Sequence, residues 1–72
     1  MRLEAILARN LKRLRQMRGL TQEALADEAG INRTYLGLVE NAKNSISIGK
    51  LAKLADKLGV KPTDLIDEDF EP

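Results

Sequence analysis

The sequence predicts an all-α fold of five short helices, and three observations carry this. Apolar residues recur every three or four positions along most of the 72 residues. Side chains that cap helix starts precede the middle runs, and glycine closes several of them. No stretch alternates apolar and polar residues for the length of a strand.

Leu3, Ile6, Leu7, Leu11 and Leu14 give a first helix over about residues 3–17. Gly19 stops it, after Arg15 and Arg18, whose charges suit a helix C-terminus. Thr21 is an N-cap, with Glu23 in the first turn, for a second helix ending near Ala29, and Gly30 breaks it. Asn32 caps a third helix through about Glu40. The polar stretch 41–46 is a loop. Ser47 caps a fourth helix, in which Ile48, Leu51, Leu54, Ala55 and Leu58 share one face and Gly59 ends the run. Pro62 opens a fifth helix through Leu65 and Ile66. With no repeat or linker, residues 1–72 are expected to form a single domain whose acidic C-terminal tail, 67–72, is disordered or lightly docked.

Composition excludes several chemistries. No cysteine means no disulfide and no thiolate metal site; no histidine removes the usual general base near neutral pH. There is no phosphate-cradling glycine loop and no pair of acids in a plausible cleft, so an enzyme is rejected. No cofactor, metal, membrane or small-molecule ligand is expected. With no signal-peptide pattern and no long apolar run, the expected location is the cytoplasm. The net charge of +1 conceals an asymmetry: residues 1–63 hold all twelve Lys and Arg against six acids, or +6, and the remainder holds five acids and no base. A basic body of this kind neutralises phosphates and releases counterions, unless it is simply a solvated surface.

Residues 22–41 read QEALADEAGINRTYLGLVEN. Two helices crossing at roughly 90–120° through a short turn need a small residue at the crossing, a turn residue tolerant of positive φ, and apolar inner faces. Ala26, Gly30, and Leu25, Ala29, Ile31, Leu36 and Val39 meet these needs at the right spacing. The segment therefore reads as a helix-turn-helix.

The stretch from Leu11 to Ile66 resembles the Cro and lambda-repressor-like helix-turn-helix family, also called the xenobiotic-response-element type. The segments that carry the resemblance are RLRQMRGLTQEALADEAGI, NRTYLGLVENAKN and SIGKLAKLADKLGVKPTDLI. The central NRTYLGLVENAKNS is similar to the controller proteins of restriction–modification systems. The resemblance implies a sequence-specific double-stranded DNA-binding regulator, a homodimer on a pseudo-palindromic operator that controls its own operon. The alternative is an interaction module that kept the fold and lost DNA binding; Arg33 and the Asn/Lys loop argue against it.

Wrapped at 100° per residue, the third helix turns Leu36 and Val39 inward, and Arg33, Thr34, Gly37 and Leu38 outward. Arg33 at the first helical position suits guanine O6 and N7, or else a phosphate; Thr34 suits a base edge or a thymine methyl. Leu38 either meets thymine methyls or is an ordinary surface leucine. Tyr35, at the rim, either reaches DNA, as the resemblance implies, or is half-buried core. Gly37, mid-helix, costs ~1 kcal/mol against Ala; it either lets the backbone approach the groove or has no role.

By resemblance, Gln22 is the phosphate-binding glutamine at the start of the second helix, and Asn41, Lys43, Asn44 and Ser47 form the loop that meets the DNA backbone; the alternative is that one or two of these four are plain loop residues. Phosphate contacts of this kind fix register rather than sequence. The resemblance also pairs Arg15 with Glu40 as a structural ion pair that sets the angle of the recognition helix. For the dimer, Leu58, Val60, Leu65, Ile66 and Phe70 are more apolar residues than the fifth helix needs, so they form either a dimer patch or a cap on the core. Leu3, Ile6 and Leu7 offer a competing surface.

Overall fold

The computed structural model describes residues 2–72; Met1, the first residue of the expected domain, lies outside them. Five helices follow in order: α1 (Arg2–Met17), α2 (Gln22–Ala29), α3 (Arg33–Glu40), α4 (Ile48–Leu58) and α5 (Pro62–Leu65). No strand occurs among the described residues.

Local chemistry sets the boundaries. The first N–H groups of a helix have no partner within it, so a side-chain oxygen just upstream satisfies one of them. Thr21 Oγ1 accepts from the Ala24 N–H at 3.0 Å, Asn32 Oδ1 from Tyr35 at 3.1 Å, and Ser47 Oγ from Lys50 at 3.2 Å. At α5 the bond runs the other way: the Lys61 N–H donates to the Asp64 carboxylate at 3.0 Å. Gly30 and Gly59 end α2 and α4 with φ of 67° and 71°, where a Cβ would be strained.

The core is built from one face of every helix: Leu7, Leu11 and Leu14; Leu25, Ala26 and Ala29; Leu36 and Val39; Leu54, Ala55 and Leu58; and Leu65. α1 packs on α3 and α5, α2 on α3 and α4, and α4 on α5. Each leucine taken from water contributes about 1.5–3 kcal/mol, the main force holding so short a chain together.

Two expectations are corrected here. Leu58 and Leu65 are 0% exposed, so they fill the protein's own core and leave no side chain for a partner. Val60, Ile66 and Phe70 are half-buried against that same core. Ile48, expected on the inner face of α4, is 86% exposed. Burial grows along that helix, from Ile48 through half-buried Leu51 to buried Leu54, because its start lines an open groove and its later turns enter the core.

Of the two states expected for the tail, the structure has the docked one, fastened along α1. Asn10, fully buried, donates from Nδ2 to the carbonyls of Asp64 (3.2 Å), Leu65 (3.2 Å) and Asp67 (2.9 Å), at the end of α5 and just beyond it. Arg9 donates to the Glu68 carbonyl at 2.7 Å and to Asn10 Oδ1 at 3.2 Å. Arg2 pairs with Glu68, Arg13 lies 3.9 Å from Glu71, and Phe70 packs against the core. The sequence does carry a signal for Asn10: it is the one polar residue inside the Leu7, Leu11, Leu14 stripe, where an amide needs buried partners. Arg18 adds a second long-range tie by donating to the Leu58 carbonyl at the end of α4.

Candidate nucleic-acid interface

α2 and α3 meet as a helix-turn-helix. Ala26 is buried where they approach, and its carbonyl accepts from the Ile31 N–H at 2.9 Å, closing the turn around Gly30. This leaves one side of α3 against the core through Leu36 and Val39, and the opposite side open.

An ion pair beneath α3 sets its orientation. Arg15 Nε donates to Glu40 Oε2 at 2.7 Å and Nη2 to Oε1 at 3.0 Å, while Nη1 donates to the Leu20 carbonyl at 2.7 Å. The Glu40 side chain is 1% exposed and that of Arg15 12%. A two-pronged pair at this depth fixes angle as well as distance. Gln22 joins it, donating from Nε2 to Glu40 Oε1 at 3.1 Å. The amide expected to meet a phosphate is thus held against α3, at the edge of a polar cleft lined by Arg15, Thr21, Gln22, Glu23 and Arg33.

The open side of α3 presents Arg33 and Thr34 at its start and Leu38 a turn later, all exposed, with Leu38 at 39%. Arg33 makes no ion pair among the described residues, so its guanidinium donors face solvent. Gly37 lies between them. A Cβ built there would meet only the Gln22 side chain, 3.5 Å from Oε1.

Tyr35 sits apart from this stripe. Its ring is half-buried against the core, its hydroxyl donates to the Ser45 carbonyl at 3.1 Å, and Lys50 Nζ lies 4.5 Å from the ring centre. It holds the loop that follows α3. Neither Lys50 nor this contact is visible in the sequence, because the partners lie ten and fifteen residues away across a loop.

The loop itself gathers the remaining candidates. Asn41 Nδ2 donates to the Gly37 carbonyl at 3.0 Å, and the Lys43 N–H to the Leu38 carbonyl at 2.9 Å, so the chain folds back over the end of α3. Ala42 makes that reversal with φ of 58°, a left-handed value uncommon for a residue with a Cβ. The side chains of Lys43 and Asn44 are exposed, and Ser47 spends its hydroxyl oxygen on capping α4.

An apolar groove of about 350 Å³ lies beyond this loop, among Leu3, Leu7, Ile46, Ile48, Leu51 and Ile66. Leu3 is 48% exposed there. Of the surface proposed for dimerisation only Ile66 belongs to it; Leu3 and Leu7 come from the competing set.

The sequence signature of the family described as "Helix-turn-helix" matches residues 11–65. The chain is 35% identical over 66 residues to the control protein C.SmaI of Serratia marcescens, covering 92% of this chain and 79% of that one. It is 38% identical over 64 residues to a hypothetical transcription factor of Neisseria meningitidis, covering 89% of this chain but spanning only 60% of that relative's length. Among solved structures, the restriction–modification controller protein C.AhdI of Aeromonas hydrophila superposes with a TM-score of 0.82 at 35% identity. The match covers 86% of this chain and 94% of the other.

Proposed function

Because the chain belongs to the helix-turn-helix family, we propose that it is a sequence-specific regulator of transcription that binds double-stranded DNA as a homodimer. One observation carries this reading: α3, braced from below by Arg15 and Glu40, presents Arg33, Thr34 and Leu38 outward beside an exposed Lys43–Asn44 loop. Arg33 and Thr34 then read base edges in the major groove. Gln22, Lys43 and Asn44 engage phosphates, with backbone N–H groups at the start of α2 adding to the attraction. Asn41 and Ser47 shape the loop, and Tyr35 holds it in place.

The dimensions support dimerisation. The protein measures 27 × 22 × 20 Å, less than the ~34 Å between half-sites one turn apart, and a single helix contacts only a few base pairs. A second copy seated on the groove of Leu3, Ile46, Ile48, Leu51 and Ile66 buries the exposed Ile48. The operator is then pseudo-palindromic. The likeness to control proteins supports a cytoplasmic controller that acts on its own operon.

Selection of bound sequences from random duplex DNA tests the reading, followed by titration at several salt concentrations. An enriched palindromic sequence with a steep salt slope is expected. No enrichment, with weak binding only, sinks it in favour of an interaction module.

A further inference from the structure

Residues 33, 37 and 41 succeed one another at single-turn steps along the open side of α3. Arg33 stands at one end and Asn41 at the other, and the middle position, Gly37, carries no side chain. Nothing within the fold asks for glycine there. Gly37 is absent from the residues with positive φ, which include Gly19, Gly30 and Gly59. An added Cβ would meet the Gln22 amide at 3.5 and 4.0 Å, which is ordinary contact with the end of a flexible side chain. Helix propensity opposes glycine in this place. At residue 37, then, the outer surface of the helix is its own backbone, lying in a notch between Arg33 and Asn41 and walled by Gln22.

We propose that Gly37 is a specificity-determining residue, the point where the recognition helix comes closest to the floor of the major groove and admits the base edge beneath it. The proposal rests on the DNA-binding reading above. The missing Cβ gives a base pair room that any other residue would fill, so selectivity at that position comes from fit rather than from a donor or acceptor. Arg33 and Gly37 thereby read different base pairs, one by hydrogen bonds and the other by close approach. Gln22, leaning over residue 37 while tied to Glu40, keeps the notch open on one side.

The test compares the wild type with Gly37→Ala, each alone and in a Gln22→Ala background, by thermal melting, affinity and selection from random duplexes. Free Gly37→Ala is expected to melt higher, by up to about 4–8 °C. On the wild type's selected duplex it should bind roughly five- to a hundred-fold more weakly, the range that one mismatched base pair brings. Its own selected sequence should differ at one position per half-site, distinct from the position relaxed by Arg33→Ala. Unchanged affinity and preference overturn the proposal, and so does a lower melting temperature, which would mean that the fold itself needs the glycine. If the loss disappears in the Gln22→Ala background, Gly37 acts only by seating Gln22, and close approach is overturned. A wild type that enriches no sequence fails at the first step, before any variant is compared; the DNA-binding reading then falls, and this inference with it.

Discussion

Arg15 on α1 and Glu40 at the last position of α3 form a two-pronged ion pair, 2.7 and 3.0 Å long, across twenty-five residues of sequence. The pair lies almost wholly out of solvent, and the third edge of the guanidinium closes on the Leu20 carbonyl. α1 thereby fixes the end of the recognition helix, and through Gln22 the start of α2 as well.

Glu40→Ala strands the Arg15 charge and should cost about 3–5 kcal/mol, a large share of the stability of so small a domain. Urea denaturation measures it. Glu40→Gln should lower both the melting temperature and DNA binding; an unchanged melt would remove the structural role from the pair.

Asn10→Ala leaves the carbonyls of Asp64, Leu65 and Asp67 without their shared donor. A loss of about 1–3 kcal/mol is expected, with faster amide hydrogen exchange through α5 and the tail. Asn10→Asp should be worse, because a carboxylate facing three carbonyl oxygens adds repulsion to the lost bonds. Equal stability of Asn10→Ala and wild type would mean that water replaces the amide without penalty.

Ala42→Gly should raise stability by roughly 0.5–1 kcal/mol. The left-handed conformation costs a residue with a Cβ about 1–2 kcal/mol, and the greater freedom of glycine in the unfolded chain returns part of that gain. Chemical denaturation decides it, and a destabilised variant would refute the strain.

Arg33→Ala and Lys43→Ala should fail differently on DNA. The first is expected to cost about 1–3 kcal/mol and to relax preference at one position per half-site. The second should weaken all sequences alike and reduce the salt slope by about one. A uniform loss for Arg33→Ala would make Arg33 a phosphate contact instead.

Ile48→Glu places a charge on the lining of the apolar groove without touching the core. Sedimentation at tens of micromolar should show a monomer, and half-sites should then be bound independently. A dimer that survives Ile48→Glu and Leu3→Glu together would move the interface elsewhere.

The sequence by itself determined the helices and the motif. Thr21, Asn32 and Ser47 cap the N–H three residues on, and Gly30 and Gly59 stop a helix by a property of one residue. These signals act within a single turn, so reading the chain in order is enough to find them. The inward and outward sides of α3 followed from the same local geometry, since Leu36 and Val39 can be buried only if Arg33, Thr34 and Leu38 are not.

Tertiary structure alone decided which apolar faces are already covered. Ile48 and Leu58 are both apolar and lie on the same helix, yet one is open and the other sealed, because only the second has α5 and the body of the core above it. Asn10 reaches carbonyls more than fifty residues away, and Tyr35 gives its hydroxyl proton to the loop at Ser45. Periodicity shows that a face is apolar; what covers that face depends on where distant segments pack. That is why the sequence pointed to Leu58 and Leu65 for the dimer, whereas the fold leaves Leu3 and Ile48 exposed.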